Sequence, residues 1–201
     1  MKLKLWIPRA SSLALLVATI LFAACIPSLQ PLYSEKDLVF DPSLIGSFLE
    51  EKDKVVVWTF TKAGERDYHL VIKEKEKRSP LSAHLFKIAG DQYIDLYPEN
   101  EGFEDWQRED FFKSAIVPAH IFFRVTQIDP VLKVHALQED WLKEYLAANK
   151  NAVPHSIVDN NRIVFTGSTD QMQSFLKKIA SEKGAWSDPA EFRKQKASPR
   201  K

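Results

Sequence analysis

Residues 55–73 read VVVWTFTKAGERDYHLVIK, two alternations of apolar and polar side chains on either side of a glycine. In the first, Val56, Trp58 and Phe60 share a face; in the second, Tyr68, Leu70 and Ile72 do. Successive side chains of a strand point to opposite faces, so each run reads as a strand with one apolar side. A hairpin centred on Gly64 sets Phe60 against Tyr68 and Trp58 against Leu70, and the two apolar faces coincide.

Working outward, the same agreement recurs. Folding about the charged loop Glu74–Ser79 sets Leu70 against Ala83 and Ile72 against Leu81. A two-residue type II′ turn at Gly90-Asp91 sets Leu85 opposite Leu96, with Ile94 on the same face. Ile121, Phe123 and Val125 alternate with Phe122, Arg124 and Thr126, and a turn at Ile128-Asp129 places Phe123 against Val134 and Val125 against Leu132. A one-residue slip would expose every one of these sets. Between the blocks, Asn100–Pro118 mixes Phe103, Trp106, Phe111 and Phe112 with many charges, as a short helix or a lid-like loop.

Asp140–Lys150 reads as a helix with Trp141, Leu142, Tyr145 and Leu146 on one side, and Arg162–Thr166 as a last strand. Ser168 to Gln171 fits a capping box, followed by Met172, Phe175, Leu176 and Ile179 at helical spacing, with Gly184 as the stop. With Leu44–Leu49 as the first strand, the expectation is a mainly β (β-rich α+β) chain. Its centre is an antiparallel up-and-down meander of about eight strands, with a helix before the last strand and a C-terminal helix. Closing such a meander into a barrel removes its exposed edges. Gly46-Ser47-Phe48 stands where lipocalin-like (calycin) proteins open their first strand with Gly-x-Trp, so the domain resembles that group, which implies a small barrel.

The N-terminus sets location. Lys2, Lys4 and Arg9 precede an apolar run from Leu13 to Ala24, the layout of a secretory signal peptide. Phe22-Ala23-Ala24-Cys25 resembles the lipobox of bacterial lipoproteins, with Phe22 where Leu is usual. The resemblance implies cleavage between Ala24 and Cys25 and a diacylglyceryl group on the Cys25 thiol; the alternative is a plain signal-peptide cut beside an ordinary cysteine. Cys25 is the one cysteine, so no intrachain disulfide exists. Ile26 follows it instead of an acidic retention residue, which points to the outer membrane, facing the periplasm. The expected organisation is a signal peptide at 1–24, a lipidated tether at 25–43, one β-rich domain at 44–187 and a polar, flexible tail at 188–201. The stretch from Pro31 to Tyr97 also resembles uncharacterised bacterial lipoproteins that open with Pro-Leu-Tyr and Asp-Leu-Val-Phe-Asp-Pro, which implies no activity.

The formal net charge is +1, and losing the signal peptide would leave the rest slightly acidic with both signs interspersed, so nothing resembles a nucleic-acid stripe. No His-Glu-x-x-His, phosphate loop or Gly-x-Ser-x-Gly elbow occurs, and neither enzyme activity nor a cofactor is expected. His69 and His84 fall opposite each other on the outer face in the register above, a solvated pair more simply than a metal site, because a third ligand is not evident. Glu104, Asp105, Glu109 and Asp110 read as a solvated acidic face. Two functions remain. One is a membrane-tethered module holding a small apolar molecule among Trp58, Phe60, Tyr68, Leu70, Leu85, Phe123 and Val134; the simpler alternative is that these residues fill a closed core. The other is a structural or assembly lipoprotein that meets an envelope protein through Phe103, Trp106, Phe111 and Phe112.

Overall fold

The computed structural model describes residues 26–52, 54–99, 115–159 and 162–196. The candidate cleavage and lipidation residues Ala24 and Cys25, the acidic cluster and the four aromatic residues of the long loop lie outside them. In chain order come β1 (Gly46–Glu50), β2 (Val56–Lys62), β3 (Asp67–Glu74), β4 (Lys77–Ile88), β5 (Asp91–Pro98), β6 (Ile121–Gln127), β7 (Val131–His135), α1 (Glu139–Ala148), β8 (His155–Val158), β9 (Arg162–Phe165), α2 (Thr169–Ile179) and β10 (Ala190–Lys194). Eight of the strands close an antiparallel barrel in the order β1-β10-β7-β6-β5-β4-β3-β2, while β8 and β9 form a separate two-stranded sheet. The architecture is compatible with a lipocalin-like barrel.

Two cores hold this arrangement. Inside the barrel, Phe48, Trp58, Phe60, Tyr68, Leu70, Leu85, Ile94, Phe123, Leu132, Val134 and Phe192 pack together. A second core lies against the outer wall, where Phe86, Ile88, Tyr93 and Phe122 meet α1, α2 and the segment from Ile26. β5 therefore buries both its faces, with Tyr93, Ile94, Asp95 and Leu96 all buried. α2 begins with the expected capping box: Ser168 Oγ accepts from the Gln171 N–H, and Gln171 Oε1 accepts from the Ser168 N–H at 2.9 Å. It buries Met172, Phe175, Leu176 and Ile179 on one stripe. It ends at Ile179, ahead of the expected stop at Gly184.

The apolar faces fall as the alternation requires, but each register differs from expectation by two residues. Phe60 pairs with Leu70, Leu70 with Leu81 and Leu85 with Ile94. A shift of two keeps every side chain on its face, so burial is unchanged and only the partner moves. Turn chemistry sets the difference. The β4–β5 turn is Ala89-Gly90, with φ of 52° and 94°, the double positive-φ geometry of type I′, whose twist matches the flanking strands. Between β6 and β7 a register shift sets Val125 against Val134, not Leu132.

Two larger corrections concern the ends. The strand that closes the barrel is β10, within residues read as a polar tail; Arg162–Phe165 pairs with β8 outside the barrel. Ala190 and Phe192 face inward between Glu191 and Arg193, so one face of a charged segment suffices to close the sheet. Nor is 26–43 a tether, because Ile26, Leu32 and Leu38 are buried in the outer core. The chain then forms a 3₁₀ turn, Pro42–Leu44, that plugs one end of the barrel before β1 begins at Gly46. Gly46 has φ of +131°, a conformation that L side chains rarely adopt, so the position favours glycine. Lys194 in turn donates to the Ser43 carbonyl at 2.6 Å and sits 5.4 Å above the Phe48 ring.

Candidate functional site

The two ends of the barrel differ because their inward side chains differ. At the plugged end, Phe40 stacks on Tyr68 at 5.0 Å, and Phe60 meets Phe48 and Tyr68 edge-on. The Tyr68 hydroxyl donates to the Asp41 carbonyl at 3.1 Å and accepts from the Asp41 N–H at 2.6 Å. Burial pushes its pKa up to about 12, so it stays a neutral donor. At the opposite end the inward positions carry Ile72, Leu81, Leu96 and Ile121, which leave space.

That space is a cavity of about 280 Å³. Trp58, Ile72, Leu81, Leu96, Ile121 and Phe123 wall it, with Glu74, Lys77, Ser79 and Pro98 toward the mouth. The Trp58 ring packs on Phe192 at 4.9 Å and Phe123 at 5.8 Å. Its Nε1 is buried and finds no acceptor among the described residues. A buried donor without an acceptor costs roughly 1–3 kcal/mol.

Of the seven residues read as ligand-lining, Trp58 and Phe123 border this cavity, while Phe60, Tyr68, Leu70, Leu85 and Val134 pack within the barrel core. Ile72, Leu81, Leu96 and Ile121 were not among the expected lining residues, although all four lie on the inward period-2 face.

The histidines also differ from expectation. His69 pairs with Ser82 and His84 with Asp67, so they do not oppose each other. His69 Nδ1 lies 2.8 Å from Glu99 Oε1. His84 is covered by Tyr33, which stacks on it at 4.6 Å, and its Nε2 lies 3.4 Å from Asp67. Next to it, Asp95 is fully buried: one oxygen lies 2.7 Å from His120 Nδ1, and the other accepts from the Leu32 N–H at 3.4 Å. This polar group fixes the N-terminal segment to the barrel wall. Among the described residues, no three His, Cys, Asp or Glu side chains gather as a metal site.

Burial holds the His84 pKa below its ordinary 6.5, against the pull of Asp67 and Asp95 and with His120 adding to the depression. The unfolded chain then binds the extra proton first as pH falls, so His84 costs stability below about pH 6.5. Thermal melts should show a lower Tm at pH 5 than at pH 7.5, and His84→Phe should narrow that gap. An equal gap in the variant would remove His84 as its cause.

The fold thus defines a closed eight-stranded barrel, plugged at one end and holding an apolar cavity at the other among the described residues. In comparisons with known proteins, no family model matches the chain, and no curated protein or solved structure gives a significant match.

Proposed function

We propose that this protein is a lipid-anchored binding module of a bacterial cell envelope. It is held through acylated Cys25, in the outer membrane with the barrel toward the periplasm, and takes a small apolar ligand into the cavity at the end of the barrel opposite the plug. The observation that carries the binding reading is the cavity of about 280 Å³, walled by six apolar side chains. Ligand pockets run from about 300 Å³ upward, and apolar cavities of ~150 Å³ already take small apolar molecules. The matching ligand is compact and apolar. The anchor rests on Phe22-Ala23-Ala24-Cys25 behind a basic, apolar leader.

Filling the cavity tests the first part. Leu96→Trp should leave the fold intact and abolish any co-purifying small molecule; a ligand retained by a folded Leu96→Trp protein would place its site elsewhere. Cys25→Ser tests the second. The variant should leave the membrane fraction, and the intact mass of the natural protein should show a diacylglyceryl-modified chain beginning at Cys25. An unmodified chain beginning elsewhere would refute the anchor.

A further inference from the structure

We infer that the β8–β9 hairpin is a membrane-apposed foot, with Ile157 and Val158 resting in the interfacial layer of the bilayer that holds Cys25. The inference rests on the lipid anchor proposed above and adds to it an orientation of the body.

The first observation is the lack of slack after the anchor. Ile26, the very next residue, is 6% exposed. From there the chain is bonded to the body on both sides. Phe165 N–H donates to the Pro27 carbonyl at 2.9 Å, and Leu29 N–H to the Phe165 carbonyl at 3.0 Å. Ser28 and His120 exchange both backbone hydrogen bonds, at 2.9 and 2.8 Å. One residue spans about 3.5 Å. Acyl chains sunk in the hydrocarbon put their cysteine at the headgroup boundary, so the body around Ile26 lies against that boundary too.

The second observation says which part of the body that is. Ser28 bridges Phe165 in parallel, so moving back from Ser28 toward Ile26 runs along β9 from Phe165 toward Ile163 and Arg162. Ile163 pairs with Ile157 and Arg162 with Val158. The chain therefore leaves for Cys25 toward the end of the hairpin that carries Ile157 and Val158. These two are 62% and 40% exposed, among the few large apolar side chains left open to solvent among the described residues. Being adjacent, they project from opposite faces of the ribbon, as suits an element laid into an interface edge-on. Arg162 beside them is exposed and can meet lipid phosphate, while Asp159 limits how deep the turn can sink. Two side chains are too little for a stable protein interface, which buries about 800 Å² per partner. They are enough to orient a body that the acyl chains already hold.

The chain has one cysteine, which the anchor consumes, so an introduced cysteine is the only free thiol. Full-length Ile157→Cys, Val158→Cys and Thr61→Cys proteins, acylated in their own host, are labelled with nitrobenzoxadiazole and reconstituted in phosphatidylethanolamine–phosphatidylglycerol vesicles. Thr61 is exposed on β2, which stands across the barrel from β6. Labels at 157 and 158 should be quenched severalfold more by doxyl-labelled phospholipid, and severalfold less by iodide, than the label at 61. Equal iodide access at all three positions, in protein whose intact mass confirms acylated Cys25, would overturn the foot while leaving the anchor standing. An intact mass without acyl chains would overturn both.

Discussion

Phe192→Ala should destabilise the protein by about 3–5 kcal/mol, the cost of emptying a well-packed aromatic site. Phe192 is 2% exposed, pairs with Leu132 of β7 and Glu50 of β1, and packs its ring against Trp58. It is the inward side chain at the seam where the last barrel strand meets the first. Its neighbour Arg193 faces solvent and pairs with Glu51 in an exposed salt bridge, so Arg193→Ala should change stability by no more than about 0.5 kcal/mol. Urea unfolding of the two variants makes the comparison: a lower midpoint for Phe192→Ala at unchanged slope, and little change for Arg193→Ala. If both variants matched the natural protein, residues 190–194 would be a tail and not a strand.

His120→Ala should cost about 3 kcal/mol, because it leaves the Asp95 carboxylate fully buried with the Leu32 N–H, at 3.4 Å, as its remaining hydrogen-bond donor among the described residues. Asp95→Asn keeps an acceptor for Leu32 and should lose less. The defect should be local as well as global. Asp95 and His120 join β5 and the start of β6 to the segment running from Ser28 to Leu38, so hydrogen exchange should rise first at Ser28, Leu29 and Leu32. Exchange that rises first inside β2 and β3 would show that the pair does not hold that segment.

The inward set Trp58, Phe60, Tyr68, Leu70, Leu85, Phe123 and Val134 was legible because period-2 alternation reports burial directly. Partner identity was not, since a register shifted by two keeps the same faces and is set by turns such as Ala89-Gly90, whose positive φ values no alternation encodes. β10 escaped notice because Ala190 and Phe192 supply just two inward apolar residues among charges. The segment 26–43 read as a tether because its prolines break any period, yet Leu32 and Leu38 bury themselves singly in the outer core. Alternation also cannot distinguish a filled barrel from a hollow one. That depends on side-chain volume level by level: Phe40, Phe48, Phe60 and Tyr68 crowd one end, while Ile72, Leu81, Leu96 and Ile121 leave a cavity at the other.

The binding claim is tested most directly by native mass spectrometry of the Cys25→Ser protein, purified gently from its own host. A discrete added mass that disappears on denaturation, and that is missing from the Cys25→Ser/Leu96→Trp double variant, is the predicted result. A bare polypeptide mass for the Cys25→Ser protein itself would contradict it and leave the barrel as a filled structural core.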